Sequence, residues 1–457
     1  MYKSLLSISL FLVALTGYSQ QKQTYSFNLE EAIAFAIDSN YTAINARRDM
    51  AIALKQKWET TASGLPQVSG SVSYNNNIKQ PVTLIPAEFS GGEPGTFSPI
   101  TFGTKQSANA VATLNQLIFD GSYLVGLQAA SAFLRFSENA TEKTNLEVRK
   151  GVINAYGSVL LADELVAIFE SNKKNLEKNL FETRQIFENG LTEEESVEQL
   201  EITLLDIETQ LSNAKRSAGI ARQMFNIGLG ISIDANVTYT DTLDGLAFQN
   251  TSLQLLDQSL NVKDNVDYKI AQNLTEQREL EVKLEQSKAL PSLSAFLNYG
   301  TTANSNSFTF LNGDQRWYQS SVLGINLSVP IFSSGMRNAR TQKAAIALDQ
   351  AKTDLEETTQ QINLQLDTAR SNYQFAIEKF ENSKQNIALS ERIERKNQIK
   401  FTEGLSTSFE LRQAQTQLYT AQQQYFQSML DLINAKAEIE TVLNIPQLRI
   451  ESDTVKN

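Results

Sequence analysis

One short segment occurs twice in the chain, as FENGLTEEESVEQLEITL (residues 187–204) and FTEGLSTSFELRQAQTQL (residues 401–418). Each copy has a phenylalanine three residues before a Gly-Leu pair, and a new helical run follows within a few residues. Glycine accepts the left-handed backbone that ends a helix. We therefore predict that Gly190 and Gly404, which are 214 residues apart, each form the tip of a helical hairpin.

Each glycine is followed by residues that favour the start of the next helix. Thr192 with Glu195, and Thr407 with Glu410, have the spacing of a capping box, in which a hydroxyl and a carboxylate each accept a hydrogen bond from a free backbone N–H. Both second helices are therefore predicted to begin with such a cap.

Other landmarks repeat at nearly the same spacing, so the duplication covers most of the chain. Leu65-Pro66 recurs as Leu290-Pro291, and Ile118-Phe119 recurs as Ile331-Phe332. The two offsets, 225 and 213 residues, differ by 12, which predicts a longer loop in the first repeat.

Apolar residues recur in alternating steps of three and four on both sides of each tip, which is typical of coiled-coil packing. The helices before the tips are predicted to span about 122–188 and 336–401, and each would be roughly 100 Å long at 1.5 Å per residue. In the helix after the first tip the positions are Val197, Leu200, Leu204, Ile207, Leu211, Ala214, Ala218, Ala221 and Phe225.

Four segments read as β-strands, at about 67–78, 106–119, 291–300 and 319–331. Each is about as long as a tilted membrane strand. A sheet in lipid must close on itself, and closure needs about eight strands or more, so one chain cannot close it alone. Several identical copies in a cyclic homo-oligomer could close it, and three copies would supply 12 strands.

The composition excludes several classes of function. The net charge of −11 argues against a nucleic-acid partner. The chain has no Cys and no His, so disulfides, Cys nucleophiles, Ser-His pairs and His metal sites are excluded. No catalytic group of residues stands out, and no cofactor or metal site is predicted. Residues 1–19 resemble a signal peptide, which predicts export. The rest of the sequence contains no run of 18 consecutive apolar residues, so no membrane-spanning helix is predicted there.

The order of these motifs resembles the TolC-like outer-membrane efflux protein family. The resemblance includes LEEAIAFAIDSNYTA (29–43), both Leu-Pro joints, both Ile-Phe joints and both Phe-x-x-Gly-Leu tips. It implies a mainly α fold with membrane β-structure, namely a trimeric 12-stranded barrel in outer-membrane lipid that continues into a helical periplasmic barrel. It also implies an exit duct of a tripartite efflux or type I secretion system, partnered by a periplasmic adaptor and an inner-membrane RND or ABC-type pump.

The resulting domain prediction has five parts. They are a signal peptide (1–19), a first repeat (20–229, tip near 187–196), an inter-repeat equatorial segment (230–262), a second repeat (263–446, tip near 401–410) and a C-terminal tail (447–457).

The resemblance also implies roles for residues at the tips. Gly190, Leu191, Gly404 and Leu405 correspond to the family's grooves for the adaptor's helical hairpin. A purely structural alternative is that both glycines only end their helices and both leucines pack locally.

The family narrows its tunnel near the tips with acidic residues. Six positions after the second glycine stands Glu410, but the next acidic position of the family is Gln413 here. In the first repeat the matching position is Ser196, flanked by Glu195 and Glu198. Glu410, Glu195 and Glu198 are therefore the predicted pore constriction, although acids in a first helical turn also stabilise the helix itself.

A different class of function remains open. A soluble periplasmic coiled-coil scaffold would explain the heptads but not the strands. The transported substrate cannot be read from these motifs.

Overall fold

The computed structural model describes residues 24–251 and 253–445. The predicted signal peptide (1–19) and C-terminal tail (447–457) lie outside the described residues. The chain divides into two compact units. Among the described residues, the helical unit contains 24–50, 137–271 and 355–445, and the strand unit contains 51–136 and 272–354.

The first half of the chain contains β1 (Thr24–Phe27), α1 (Leu29–Ser39), α2 (Tyr41–Ser63), β2 (Gln67–Asn76), β3 (Val82–Pro86), β4 (Phe97–Thr101), β5 (Gln106–Phe119), α3 (Gly121–Glu188) and α4 (Glu194–Leu229). The second half contains β6 (Asn236–Tyr239), α5 (Leu243–Gln249), α6 (Val266–Ser287), β7 (Ser292–Ser305), β8 (Tyr318–Ser328), α7 (Met336–Thr402) and α8 (Ser408–Val442).

The two helices that precede the tips are very long. α3 has 68 residues and α7 has 67, and their bounds confirm the prediction to within one residue. By length and composition, α3 is also the one helix among the described residues that could cross a membrane. Helices in the cores of soluble proteins satisfy the same criterion, so this observation does not make α3 a membrane span.

The heptad positions form the core near the tips. Phe169, Leu176 and Leu180 of α3 pack against Leu200 and Ile207 of α4, and all five are buried. The apolar stripe therefore faces a neighbouring helix, as its period predicts. Every stripe position of α4 is buried or half-buried.

A second core in the helical unit holds two segments that lie outside the hairpins. β1 pairs in parallel with β6, and neither strand was predicted from the sequence. The buried Tyr156 of α3 donates a hydrogen bond to the Phe27 carbonyl (3.1 Å), and Tyr373 of α7 donates one to the Asn250 carbonyl (2.7 Å). One buried tyrosine in each long helix thus anchors a segment outside the hairpins.

The main sheet lies in the strand unit and has the order β2-β5-β7-β8, with every neighbouring pair antiparallel. β7 continues to Ser305, beyond the expected end near residue 300, because it pairs with the long β5 as far as Gln106. β8 ends at Ser328, two residues before Pro330, which has no N–H to donate. The longer loop of the first repeat contains a small hairpin, β3–β4, where only a loop was expected.

Candidate functional site

The first tip ends α3 with a Schellman motif. Gly190 has φ +72°, its N–H donates to the Phe187 carbonyl (2.8 Å), and the Leu191 N–H donates to the Ile186 carbonyl (3.0 Å). A Cβ added at Gly190 would meet no atom within 4 Å, so the position needs glycine for its backbone angle and not for space.

The second tip repeats this geometry. Gly404 has φ +73°, its N–H donates to the Phe401 carbonyl (3.0 Å), and the Leu405 N–H donates to the Lys400 carbonyl (2.7 Å). The recurring Phe-x-x-Gly-Leu sequence is therefore one helix-ending motif used twice. The prediction that both glycines end long helices is confirmed.

The two tip leucines are exposed, which decides against local packing in the single chain. Leu191 is 78% exposed and Leu405 is 72% exposed. In a Schellman motif this position usually contacts an apolar residue of the last helical turn. At the second tip that residue is Lys400, which offers only its aliphatic stem. Within the single chain, both leucines are therefore exposed and available to a partner protein.

The second tip has the predicted capping box. The Glu410 N–H donates to the Thr407 hydroxyl (3.2 Å), and the Thr407 N–H donates to the Glu410 carboxylate (3.1 Å). The Ser406 hydroxyl also donates to that carboxylate (2.6 Å). These hydrogen bonds lower the pKa of the exposed Glu410 carboxylate from its ordinary value of 4.5, and the bond from Ser406 has the largest effect.

The predicted box at the first tip is wrong. At both tips the N-cap residue of the following helix is the third residue after the glycine. This residue is Glu193 at the first tip and Thr407 at the second. Glu193 makes no side-chain cap, and the Thr192 hydroxyl lies 3.3 Å from Ser196 Oγ instead. The sequence spacing therefore predicted the N-cap one residue too early, at Thr192 and not at Glu193.

Glu195 and Glu410 lie in the first turns of α4 and α8, and Glu198 lies at the start of the second turn of α4. Glu195 and Glu198 are exposed, as is Glu410, and Glu195 accepts a hydrogen bond from the Gln199 side chain (2.8 Å). The first turns meet where the Ser408 hydroxyl donates to Ser196 Oγ (3.1 Å). This contact, which the sequence analysis missed, brings the first turns that carry Glu195 and Glu410 together.

Amide side chains connect the two repeats farther from the tips. Asn179 of α3 and Gln398 of α7 exchange two hydrogen bonds, at 3.0 and 3.2 Å. Asn172 donates to Gln422 of α8 (3.0 Å). The two asparagines lie one heptad apart on α3.

Among residues 24–251 and 253–445, no group of three or more His, Cys, Asp or Glu is placed to hold a metal ion. A cavity of about 720 Å³ lies between α3, α4, α7 and α8, and its walls are mainly Gln, Asn, Thr and Ala side chains, with Asp206 and Lys379 as its charged residues. What the tips combine is exposed apolar residues with exposed carboxylates, which suits a partner surface and an ion path.

The sheet has one apolar and one polar face. Cross-strand partners lie on the same side of a sheet, and consecutive residues lie on opposite sides. The register therefore places one apolar row and one mostly polar row on opposite faces. The rows are Val68, Leu114, Leu297 and Leu323 on one face, and Ser69, Thr113, Asn298 and Val322 on the other.

Neither face carries charge, because the four strands contain no Asp, Glu, Lys or Arg. The outer strands, β2 and β8, have no strand on their other side among residues 24–251 and 253–445. An apolar face, a polar face and two open edges are the features of a barrel segment that needs further strands to close.

Comparisons with known proteins agree with this architecture. The sequence profile of the family described as "Outer membrane efflux protein" matches residues 44–225 and 264–444, one match in each repeat. No curated protein matches the chain. Its fold is similar to that of CusC, with a TM-score of 0.72 and 16% identity over 91% of both chains.

Two further channels have a similar fold. CmeC of Campylobacter jejuni has a TM-score of 0.72 and 17% identity, over 91% of this chain and 85% of that one. The open state of MtrE of Neisseria gonorrhoeae has a TM-score of 0.68 and 17% identity, over 91% and 88%.

Proposed function

Because the chain belongs to the outer membrane efflux protein family, we propose that three copies of it form the exit duct of a tripartite efflux or type I secretion system. The protein is an outer-membrane efflux channel with the TolC-like fold, and it is not an enzyme. The family resemblance, the mainly helical duplicated fold and the channel function expected from the sequence are thus confirmed.

The sheet with two open edges is the observation that supports the trimer. β2 and β8 run in opposite directions, so β8 of one copy can pair with β2 of the next and keep the antiparallel pattern. Rotational symmetry then closes the sheet with every apolar face toward lipid. Three copies give the 12-stranded barrel, and each contributes two long helical hairpins to a helical tube.

The tips support the proposed partners. Exposed leucines after Gly190 and Gly404 suit the apolar face of a helical hairpin, such as that of a periplasmic adaptor. The duct itself is passive, and an inner-membrane pump of the RND or ABC type supplies the energy. Contact with the adaptor at the tips separates the helical hairpins and widens the constriction.

Fractionation and mass measurement test the assembly. The protein is expected in the detergent-extracted outer membrane as a trimer that conducts ions in planar bilayers. A monomeric chain recovered from the soluble periplasmic extract would instead support the scaffold alternative.

The carboxylates at the tips test the constriction. Neutralising Glu410, Glu195 and Glu198 together to Gln is expected to reduce the preference for cations in single-channel recordings, because a ring of carboxylates concentrates cations in a narrow pore. Glu403→Gln, which removes an exposed carboxylate from the same tip, is the control. Unchanged selectivity in the triple variant would show that these residues do not form the constriction, but it would not contradict the channel function.

A further inference from the structure

An aromatic side chain from a loop covers one end of the apolar face of the sheet. Tyr74 of β2 pairs with Ala108 of β5, and Ala108 pairs with Ala303 of β7. Side chains alternate along a strand, so this row lies on the same face as Val68. Phe310, from the loop after β7, packs on both alanines and is only 7% exposed. The loop therefore supplies the large side chain that β5 and β7 lack at this end.

The first part of this loop is held in place by aromatic and hydrogen-bonding contacts. The ring centroids of Phe308 and Phe310 lie 5.6 and 5.7 Å from that of Tyr74, and both pairs are edge to face. Phe308 and Phe310 are themselves 5.7 Å apart. Between them, the Thr309 hydroxyl donates to the Gln315 side-chain carbonyl (2.5 Å). The loop thus lies back over the apolar face, from β7 towards β2.

The outward surface of this cluster is apolar and exposed. Phe308 is 60% exposed, Leu311 is 87% exposed, and Tyr74 is about half-exposed. Residues 306–313 contain no Asp, Glu, Lys or Arg. An uncharged aromatic surface that continues the apolar face of membrane strands is suited to contact with lipid.

The cluster stands about one membrane thickness from the other end of the apolar face. There, Leu293 of β7 pairs with Phe119 and with Leu327. Leu293 and Ala303 are 10 residues apart on β7, which is roughly 34 Å along a strand. At a tilt of about 45° this length spans roughly 24 Å of the bilayer. The apolar band of such barrels is about 25 Å tall and has aromatic residues at both boundaries.

We propose that Tyr74, Phe308, Phe310 and Leu311 form an interfacial belt, which contacts membrane lipid at the boundary of the apolar band away from the helices. The inference rests on the proposed barrel. Lipid is the partner because the copies meet through the edges of β2 and β8, whereas this cluster lies on the face of the sheet. Aromatic rings are favoured at a boundary that is apolar on one side and wet on the other.

Spin labels test the belt, since the natural chain has no cysteine to remove. Phe308→Cys and Ser73→Cys each carry one nitroxide in trimers reconstituted into phosphatidylcholine vesicles. Collisions are measured with oxygen, which concentrates in lipid, and with a nickel chelate, which stays in water. The label at position 308 is expected to have a severalfold higher ratio of oxygen to nickel access. Ser73 is the matched control because it lies next to Tyr74 but on the polar face.

A third label separates failure of the belt from failure of the barrel. Ile325→Cys places the nitroxide on the apolar face of β8, where oxygen access is expected to exceed nickel access. If the label at 325 meets oxygen but the label at 308 meets nickel as readily as that at Ser73, the belt is overturned and the barrel stands. Low access of the label at 308 to both reagents would indicate a protein contact and would also overturn the belt. Nickel access at 325 would overturn the lipid face, and with it the proposed barrel.

A second variant tests how the loop is held. Phe310→Ala, in the protein labelled at position 308, is expected to raise nickel access severalfold, because the loop loses its packing on Ala108 and Ala303. Unchanged access would overturn the contact that holds the belt on this face.

Discussion

At the start of α8, the Thr407 hydroxyl accepts a hydrogen bond from the Glu410 N–H, and the Glu410 carboxylate accepts one from the Thr407 N–H. Thr407→Ala is therefore expected to destabilise the first turn of α8 by about 1 kcal/mol. Hydrogen exchange of the amides at 408–411 measures this loss. Thr192→Ala is the matched control and is expected to change α4 little, because Thr192 makes no cap there. Equal effects at the two tips would contradict the difference in capping.

The lowered pKa of Glu410 makes the second tip sensitive to acid. Its carboxylate is held ionised, first by the Ser406 hydroxyl and then by the Thr407 N–H. A lowered pKa in the folded state means that this stabilisation is present above about pH 4.5 and is lost as the pH falls through the lowered value. Exchange protection at the second tip should thus weaken on acidification in the natural protein but not in Glu410→Gln. Parallel acid profiles for the two proteins would refute this role.

At the level of elements, the end of α4 is held against the end of α1. Gly230 has φ +78°, and a Cβ added there would lie 2.1 Å from the Ser39 carbonyl oxygen. The Asn40 side chain also donates to the Gly228 carbonyl (2.7 Å). The close approach of two helix ends therefore requires a residue without a side chain.

Gly230→Ala is expected to destabilise the helical unit by roughly 3 kcal/mol, since backbone strain and a backbone clash act together. Gly219→Ala, within α4 and with no atom near the added Cβ, is expected to stabilise by about 0.5 kcal/mol. Thermal unfolding compares the two. A Gly230 variant as stable as the natural protein would mean that the two helix ends are not in this contact.

At the level of the whole molecule, the two faces of the sheet predict which surface meets lipid. Ile325 lies on the apolar face of β8, and Asn326 lies on the polar face. Ile325→Lys is expected to cost about 1–2 kcal/mol, because it places a lysine on the lipid face between the middle of the strand and its end. Asn326→Lys is expected to assemble normally and to alter conductance. The yield of folded trimer from the outer membrane measures both, and the opposite order would reverse the assignment of the faces.

Local patterns were sufficient to predict the long helices and their ends. The apolar period predicts α3 and α7, and the two glycines predict where these helices stop, because helix phase and a left-handed residue depend only on nearby residues. The displaced cap at Thr192 shows the limit of such patterns. Spacing alone did not indicate that both turns place the helix start three residues after glycine.

The sequence by itself determined the duplication, since the repeated motifs can be compared directly. It also determined the period of the helices and the alternation of the strands, since each follows from residues that are close in the chain. Only the tertiary structure decided the parallel pairing of β1 with β6, the Ser196–Ser408 contact between the tips and the row of partners across the sheet. The physical reason is distance along the chain. These contacts join residues about 174–212 positions apart, and which of many polar or apolar groups meet at that separation is selected by the packing of the whole fold.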